Sequence, residues 1–341
     1  MNKKIRIGIL GCANIAKKSA IEAFQAIDNA QVINIASRDR KKAKEYASLF
    51  SIPFTESYDS LIKNPQVDAV YIPLPLGLHK EWIIKAIKAG KHVMSEKSLT
   101  TDFQSAKEIV ETAKAAKIVL YEDFMCDFHP QHQKILSLIT QGEIGKPFLF
   151  RSYFCIPMMD EDNFRYNKNL GGSALYEVGW YPIFMARKIL QSEPISVVAH
   201  LFYDKERGID MAGVAQLTFK NERAAQIAFS LDSLYQNNYS VLGTKGLINV
   251  KRAHTIPADM KPQIELVKNE GLNEAVQQID IPAANHFKLI FKDFCDTILH
   301  NENNPRKKHQ IYTKLLAQAK VQEAIKISSK KNRKVWLKEI H

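Results

Sequence analysis

Over residues 5–121 the apolar positions alternate between two spacings. Short apolar runs, such as Ile5-Arg6-Ile7-Gly8-Ile9-Leu10, end at turn residues. Between them lie longer stretches in which apolar side chains recur every three to four positions. The first spacing suits strands buried on both faces, the second amphipathic helices. Strands are therefore predicted over 5–10, 32–36, 67–72, 92–95 and 118–121, and helices over 14–27, 41–50, 79–89 and 101–116. Gly90 closes the third of these helices as a C-cap. Strands alternating with helices predict an α/β unit with a doubly wound parallel sheet.

The pattern changes after Glu122. Helices are expected over 130–141 and 173–190, with a long strand over 148–156. Strand-like stretches then follow at 196–203, 214–219, 224–231, 239–242 and 248–251, with no helix between them, before two last helices over 285–299 and 310–327. That order predicts an α+β unit: a large, mostly antiparallel sheet backed by helices. The domains read as 1–122 and 123–341, divided by a change of pattern with no linker or repeat.

Composition narrows the functional classes. A chain of 341 residues accommodates two domains. With 45 % hydrophobic and 25 % charged residues it has the balance of a globular protein. No apolar run approaches the roughly 20 residues of a membrane span, so no membrane partner is expected. The faint signal-like apolar stretch at 9–12 is too short and is preceded by Arg6. Cys12, Cys126, Cys155 and Cys295 are far apart and form no CxxC pair, which fits reduced thiols and a cytoplasmic location. The net charge of +12 raises the question of nucleic acid. The basic runs 306–308 and 330–334 lack interleaved aromatics and read as a solvated face, so no nucleic-acid partner is expected. His129 and His132 are three apart, but no further ligand completes a metal set; no metal is expected.

The first strand runs into Gly11-Cys12-Ala13-Asn14-Ile15-Ala16, a relaxed G-x-G-x-x-G/A turn opening a helix. Gly11 permits the tight turn, Ala13 lets backbone approach a pyrophosphate, and Ala16 allows close helix–strand packing. The helix N-terminus offers unpaired N–H groups and a positive dipole end to phosphates. Gly11, Cys12, Ala13, Asn14 and Ile15 are thus candidate dinucleotide contacts. The second strand ends in Ala36-Ser37-Arg38, where an acidic residue would bind a ribose 2′-hydroxyl. A hydroxyl at Ser37 and a guanidinium at Arg38 suit a 2′-phosphate, favouring NADP(H) over NAD(H). Asp39 follows one position later.

Several segments together resemble the Gfo/Idh/MocA family of oxidoreductases: residues 8–16, Tyr71-Ile-Pro-Leu-Pro75 with His79, Ala89-Gly-Lys-His-Val-Met-Ser-Glu-Lys97, Gly142-Glu-Ile-Gly145, and 170–181. Within the family the chain looks most like the NADPH-dependent 3-ketoreductases of nucleotide-linked (dTDP) deoxysugars. The matching segments are Glu122-Asp-Phe-Met125, His129-Pro-Gln-His132, Phe164-Arg-Tyr166 and Asn237-Asn-Tyr239. The resemblance implies a Rossmann N-terminal domain, a C-terminal substrate domain, and a homo-dimer or homo-tetramer assembled through the open face of the second sheet. It adds Pro73, Leu74, His79, Glu96 and Lys97 to the candidate cofactor contacts. It also implies that Lys97 is the catalytic lysine and Tyr181 the general acid, with Glu177 orienting a substrate hydroxyl or Lys97. Arg165, Tyr235 and Asn238 are candidate sugar or diphosphate contacts.

Elementary chemistry is compatible with these roles. Lys97 follows the fourth strand at the carboxyl edge, where doubly wound sheets bind ligands. An ammonium there stabilises negative charge on a substrate oxygen. A phenol titrates at about 10 when unperturbed, and a neighbouring ammonium would lower that value and ease proton transfer. Glu177 and Tyr181 are four apart, one face of a single predicted helix. Two positions depart from the family pattern: Ser98 stands where proline is usual, and Glu177 where aspartate is. Alternatives from the same pattern are a dehydrogenase of free sugars or trans-dihydrodiols, and a catalytically weak NADP-binding sensor.

Overall fold

The computed structural model describes residues 3–55, 57–300 and 305–341. Two compact units emerge, one of Met1–Met125 with His286–Leu316, the other of Cys126–Asn285 with Ala317–His341.

In the first unit six strands form one sheet: β1 (Ile5–Leu10), β2 (Ala30–Ala36), β3 (Phe54–Thr55), β4 (Ala69–Ile72), β5 (His92–Ser95) and β6 (Leu120–Glu122). Their order is β3-β2-β1-β4-β5-β6 and every neighbouring pair is parallel. Helices α1 (Ile21–Gln25), α2 (Arg40–Phe50), α3 (Tyr58–Lys63), α4 (His79–Lys88) and α5 (Phe103–Ala115) accompany it. The first helix enters through a π turn over Ala16–Ala20. This is the doubly wound order anticipated from the pattern, and it reverses direction between β1 and β4, where such sheets hold ligands. The pattern missed β3 and α3, which are too short for a period to register.

The second unit has a nine-stranded sheet. Its strands are β7 (Pro147–Cys155), β8 (Ser196–Asp204), β9 (Ile209–Thr218), β10 (Ala224–Ser230), β11 (Gln236–Gly243), β12 (Gly246–Lys251), β13 (Gln263–Glu270), β14 (Asn273–Gln278) and β15 (Val335–Trp336). The order is β14-β13-β12-β11-β7-β10-β9-β8-β15. Only β7 and β10 run parallel; the other pairs are antiparallel. Period-two alternation sets the two faces. On β7, Phe150, Ser152 and Phe154 are buried, while Arg151 and Tyr153 are exposed. Helices α6 (Pro130–Thr140), α7 (Ala174–Glu177) and α8 (Trp180–Ile189) follow the chain before β8, and α8 packs on β7 and β10.

Two features correct the sequence reading. The single helix expected over 173–190 is broken at Val178-Gly179 into α7 and α8. The Gly179 N–H reaches back five residues to the Ala174 carbonyl at 2.8 Å. A Cβ on Gly179 would lie 2.8 Å from the Leu175 carbonyl oxygen and 3.0 Å from the Phe229 ring. That tight approach is invisible to a period search, because apolar side chains continue through the break. The second correction concerns α9 (His286–Leu299), which belongs to the first unit although it lies far beyond residue 122. Its buried Phe291 stacks on Phe24, with ring centroids 3.9 Å apart, and meets Tyr71 edge-on. Asn29 and Tyr121 donate to Asp296 and Asp293 of this helix, each at 2.8 Å. An apolar stripe shows that a helix must be covered, not which sheet covers it. The last helix, α10 (Pro305–Lys331), contributes residues to both units.

Candidate active site

In the first unit the candidates gather at the carboxyl ends of β1, β2, β4 and β5. Gly11 adopts φ +122°, a conformation closed to side chains, and a Cβ there would come within 2.8 Å of Leu74 Cδ2. The absent side chain thus lets the glycine turn close against the loop after β4. The Gly11 N–H is anchored on the Ala36 carbonyl at 2.9 Å. Cys12, Ala13, Asn14 and Ile15 keep partial or full exposure. Their backbone N–H groups open a helix and have no intrahelical partners. This is a cradle that a dinucleotide pyrophosphate fits. Burial pushes the Cys12 thiol up to about 11, so it is a neutral lining group rather than a nucleophile.

At the end of β2, Ser37 is buried and its hydroxyl accepts from the Asp39 N–H at 3.1 Å. Asp39 is the N-cap of α2. Its carboxylate accepts from the N–H groups of Lys41 and Lys42 at 2.9 and 3.2 Å. Arg38 is exposed and makes no ion pair among the described residues.

The loops after β4 and β5 are tied together by His79. Its Nδ1 lies 2.8 Å from the Ser98 carbonyl and its Nε2 2.7 Å from the Leu74 carbonyl. The ring is buried, and both nitrogens are occupied by backbone. His79, expected among the cofactor contacts, thus joins the loop that carries Pro73 and Leu74 to the loop that carries Lys97. Burial lowers its pKa, while the two carbonyls and Glu96 oppose that shift. The Lys97–Ser98 peptide is cis, although no proline follows Lys97. The Leu99 N–H donates to Glu122 Oε1 at 3.0 Å, which holds the same loop from β6. Glu96 accepts from the Tyr71 hydroxyl at 2.5 Å. Lys97 is partly exposed at the head of this scaffold.

In the second unit, Arg165 and Glu177 are brought together: Arg165 Nε donates to Glu177 Oε2 at 3.1 Å, and the carboxylate side is buried. Glu177 ends α7 and Tyr181 is the second residue of α8, so the helix break separates them. Tyr181 is buried, edge-on to Phe154 at 4.9 Å and beside His254 at 5.9 Å. Tyr235 is engaged: its oxygen accepts from Asn237 at 3.0 Å and from Arg252 at 2.9 Å. Asn238 is turned the other way. It pairs in register with the exposed Tyr153, on the sheet face away from the buried residues, and its amide donates to Gln236. The adjacent Asn237 holds the inward place, with Oδ1 accepting from the His254 N–H at 2.7 Å.

Sequence reasoning missed the polar layer beneath that sheet. The Ser152 hydroxyl donates to the Asn238 carbonyl and therefore accepts from His254 Nε2, each at 2.9 Å. His132 Nδ1 pairs with the Tyr239 hydroxyl at 2.9 Å. Burial lowers His254 to about 3 and His129 to about 4, and drives His132 well down, so all three are neutral at physiological pH. Asp210 of β9 accepts from the Leu175 N–H at 2.8 Å, holding α7 at its start, and burial raises it to about 6. Each partner lies far away in sequence, and only parity along the strands could have hinted at them. No group of three or more His, Cys, Asp or Glu suited to a metal occurs among the described residues. None of their helices is long and apolar enough to cross a membrane.

Comparison with known proteins follows this division. Residues 5–124 match the Gfo/Idh/MocA oxidoreductase family, NAD-binding Rossmann fold, and residues 132–249 match the GFO/IDH/MocA C-terminal domain. A dTDP-3,4-didehydro-2,6-dideoxy-alpha-D-glucose 3-reductase of Actinomadura kijaniata is 35 % identical over 88 % of this chain and 89 % of its own length. The 3-ketoreductase KijD10 from that organism, solved with NADP and TDP-benzene, superposes with a TM-score of 0.91 at 34 % identity, covering 96 % of this chain and 98 % of its own. Its solved forms include a tyrosine-to-phenylalanine and a lysine-to-alanine variant. More distantly, a D-xylose 1-dehydrogenase (NADP(+)) of Haloferax volcanii is 33 % identical over 73 % of this chain and 76 % of its own length. With its parallel Rossmann sheet, glycine turn and mostly antiparallel second sheet, the chain belongs to the Gfo/Idh/MocA family of oxidoreductases.

Proposed function

We propose that this protein is an NADPH-dependent 3-ketoreductase of a nucleotide-linked keto-deoxysugar, in which Lys97 and Tyr181 serve the same substrate oxygen. The observation that carries the reading is a shared spacing. The lysine and tyrosine replaced in the KijD10 variants lie the same number of residues apart as Lys97 and Tyr181 do here.

Pro73, Leu74 and Glu96, with the turn 11–15, would hold the dinucleotide, which when bound would supply the hydride. Ser37 and the exposed Arg38 favour a 2′-phosphate, and the Asp39 carboxylate is held at the start of α2 by the Lys41 and Lys42 N–H groups. At the carbonyl, Tyr181 donates its phenolic proton to oxygen as carbon takes the hydride, giving an alcohol. Lys97 hydrogen-bonds that oxygen and stabilises the charge building on it. Glu177 is assigned to orienting a substrate hydroxyl or Lys97, and Arg165, paired with it, to a sugar or diphosphate contact, as is Asn238. Tyr235 is assigned the same role through Arg252.

Two further parts of the reading concern context. The outer face of the nine-stranded sheet exposes Tyr153, Val198, Phe202 and Val214. A second copy of the chain is the partner assigned to it, giving a homo-dimer or homo-tetramer, because so large an apolar face is rarely left to water. The cytoplasmic location is part of the same reading, and the four free cysteines are compatible with it.

The test is NADPH oxidation with a dTDP-linked 3-keto-hexose. Turnover that exceeds turnover of free xylose or glucose, and falls in both Lys97→Ala and Tyr181→Phe, supports the proposal. Preferential NADP reduction by free sugars would shift the reading to a sugar dehydrogenase. Full turnover in both variants would contradict the assigned roles.

A further inference from the structure

The carboxyl ends of three adjacent strands bring together a carboxyl pair to whose protonation the proposed chemistry assigns no role. β4, β5 and β6 are neighbours, with Ile72 opposite Ser95 and Ser95 opposite Glu122. One residue beyond, the Glu96 N–H bonds the Ile72 carbonyl at 3.1 Å and the Asp123 N–H bonds the Ser95 carbonyl at 2.8 Å. Glu96 and Asp123 are thereby held side by side. The Tyr71 hydroxyl supplies a short bond to Glu96 Oε1.

Asp123 is 1 % exposed. Neither of its carboxyl oxygens accepts a well-formed hydrogen bond from a donor among the described residues. Its polar neighbours are the Glu96 carboxyl and the Met125 backbone N–H. A bare carboxylate in that position would be desolvated, almost without donors, and pressed against a second carboxylate. Two carboxyl groups adjoin stably when one proton lies between them.

We propose that Asp123 is a positioning residue that keeps its proton and donates it to Glu96, fixing the residue before Lys97 and limiting the pair to one negative charge. The Glu96 carboxylate then has two donors, Tyr71 and Asp123, from the strands on either side. Because the next peptide carries Lys97, a fixed Glu96 fixes the origin of the lysine side chain. Burial, first, and the Glu96 charge, second, raise the Asp123 pKa well above the ordinary carboxylate range, as the arrangement requires. The other charged or titratable groups facing the pair are Glu122 on β6, Tyr71 on β4, and His79 and Lys97 beside Glu96. The inference concerning Lys97 rests on the reductase reading; the shared proton does not.

Infrared spectroscopy of the full-length protein without cofactor or substrate reads the proton directly. At about pH 8 ordinary carboxyl groups are ionised. Asp210, raised only to about 6, is ionised there too. The expected result is a protonated-carboxyl C=O band at that pH, absent in Asp123→Asn. No such band, or one unchanged in Asp123→Asn, overturns the shared proton while leaving the reductase assignment standing.

Kinetics test the positioning role. Asp123→Leu is expected to lower kcat at least about tenfold, with NADPH affinity changed less than about threefold. Asp123→Asn, which retains an N–H donor for Glu96, is expected to recover most of that loss. Equal losses in the two variants would reduce Asp123 to a packing residue and overturn the role.

Discussion

The two units organise polar chemistry in opposite ways. In the first, backbone does most of the work: the Gly11 turn, helix-opening N–H groups, and the carbonyls of Leu74 and Ser98 gripped by His79. Its candidate side chains stand at strand ends, where a parallel sheet delivers them to one edge. In the second, side chains do the work from inside. His254, Ser152, Asn237, His132 and Tyr239 form a buried layer under the sheet, and Asp210 restrains the short helix before Tyr181. A backbone-built site tolerates changes of side chain and titrates little. One supported by buried histidines depends on each partner and on pH.

The largest test of this contrast is at Lys97. Lys97→Ala should reduce kcat by about 10²–10⁴-fold in the reductase assay while leaving NADPH affinity within about threefold, because an ammonium stabilising developing charge acts on the transition state. Loss of cofactor binding alone would make Lys97 a ligand of the dinucleotide. Tyr181→Phe should cost about 10²-fold or more in kcat, the range for a positioned general acid. A solvent isotope effect that disappears in this variant would tie the loss to proton transfer, and an unchanged effect would count against it.

A weaker effect is expected at the end of β2. Arg38→Ala should weaken NADPH binding by about 10- to 100-fold and leave NADH binding nearly unaltered, since a charge-assisted phosphate contact contributes roughly 1.5–3 kcal/mol. Equal weakening of both cofactors, measured by fluorescence titration, would remove Arg38 from the 2′-phosphate site.

The smallest effects concern pH and stability. Burial depresses His254 in the folded protein to about 3. A depressed histidine contributes stability above its unfolded value near 6.5, and that stability is lost as pH falls. By about pH 5 the loss should reach about 2 kcal/mol, and urea unfolding should show a flatter pH dependence in His254→Gln. Asp210 has the opposite sign. Its folded pKa, raised from 3.8 to about 6, gives stability that is complete below 3.8 and lost as pH rises through about 6. Asp210→Asn should remove that component, and identical pH slopes in wild type and variant would show that burial does not tune this group.

The contrast also explains what could be read before the fold was known. Gly11 and Ser37 could be singled out because glycine turns and strand ends leave local signatures, Lys97 stood out only through the family resemblance, and the alternating periods announced a parallel doubly wound sheet without its short strand β3. Asp123 was not legible: the Ser95 carbonyl that its N–H bonds, and Glu96 beside it, stand 28 and 27 residues earlier in the chain. The inward place of Asn237 beside Asn238 was not legible, because one residue of register exchanges the faces of a strand. Glu177 and Tyr181 were read as sharing one helix face, since the close contacts of Gly179 with Leu175 and Phe229 leave no periodic trace. The return of α9 to the first unit was hidden for a related reason: periodicity reports a buried face without naming its partner.

The most direct measurement is a crystal structure of the protein with NADP and a dTDP-linked sugar ligand. The account predicts Lys97 Nζ and Tyr181 Oη within hydrogen-bonding distance of the same sugar oxygen, with the dinucleotide pyrophosphate on the Gly11 turn. A ligand oxygen reached by only one of these groups, or a dinucleotide seated elsewhere, would contradict it.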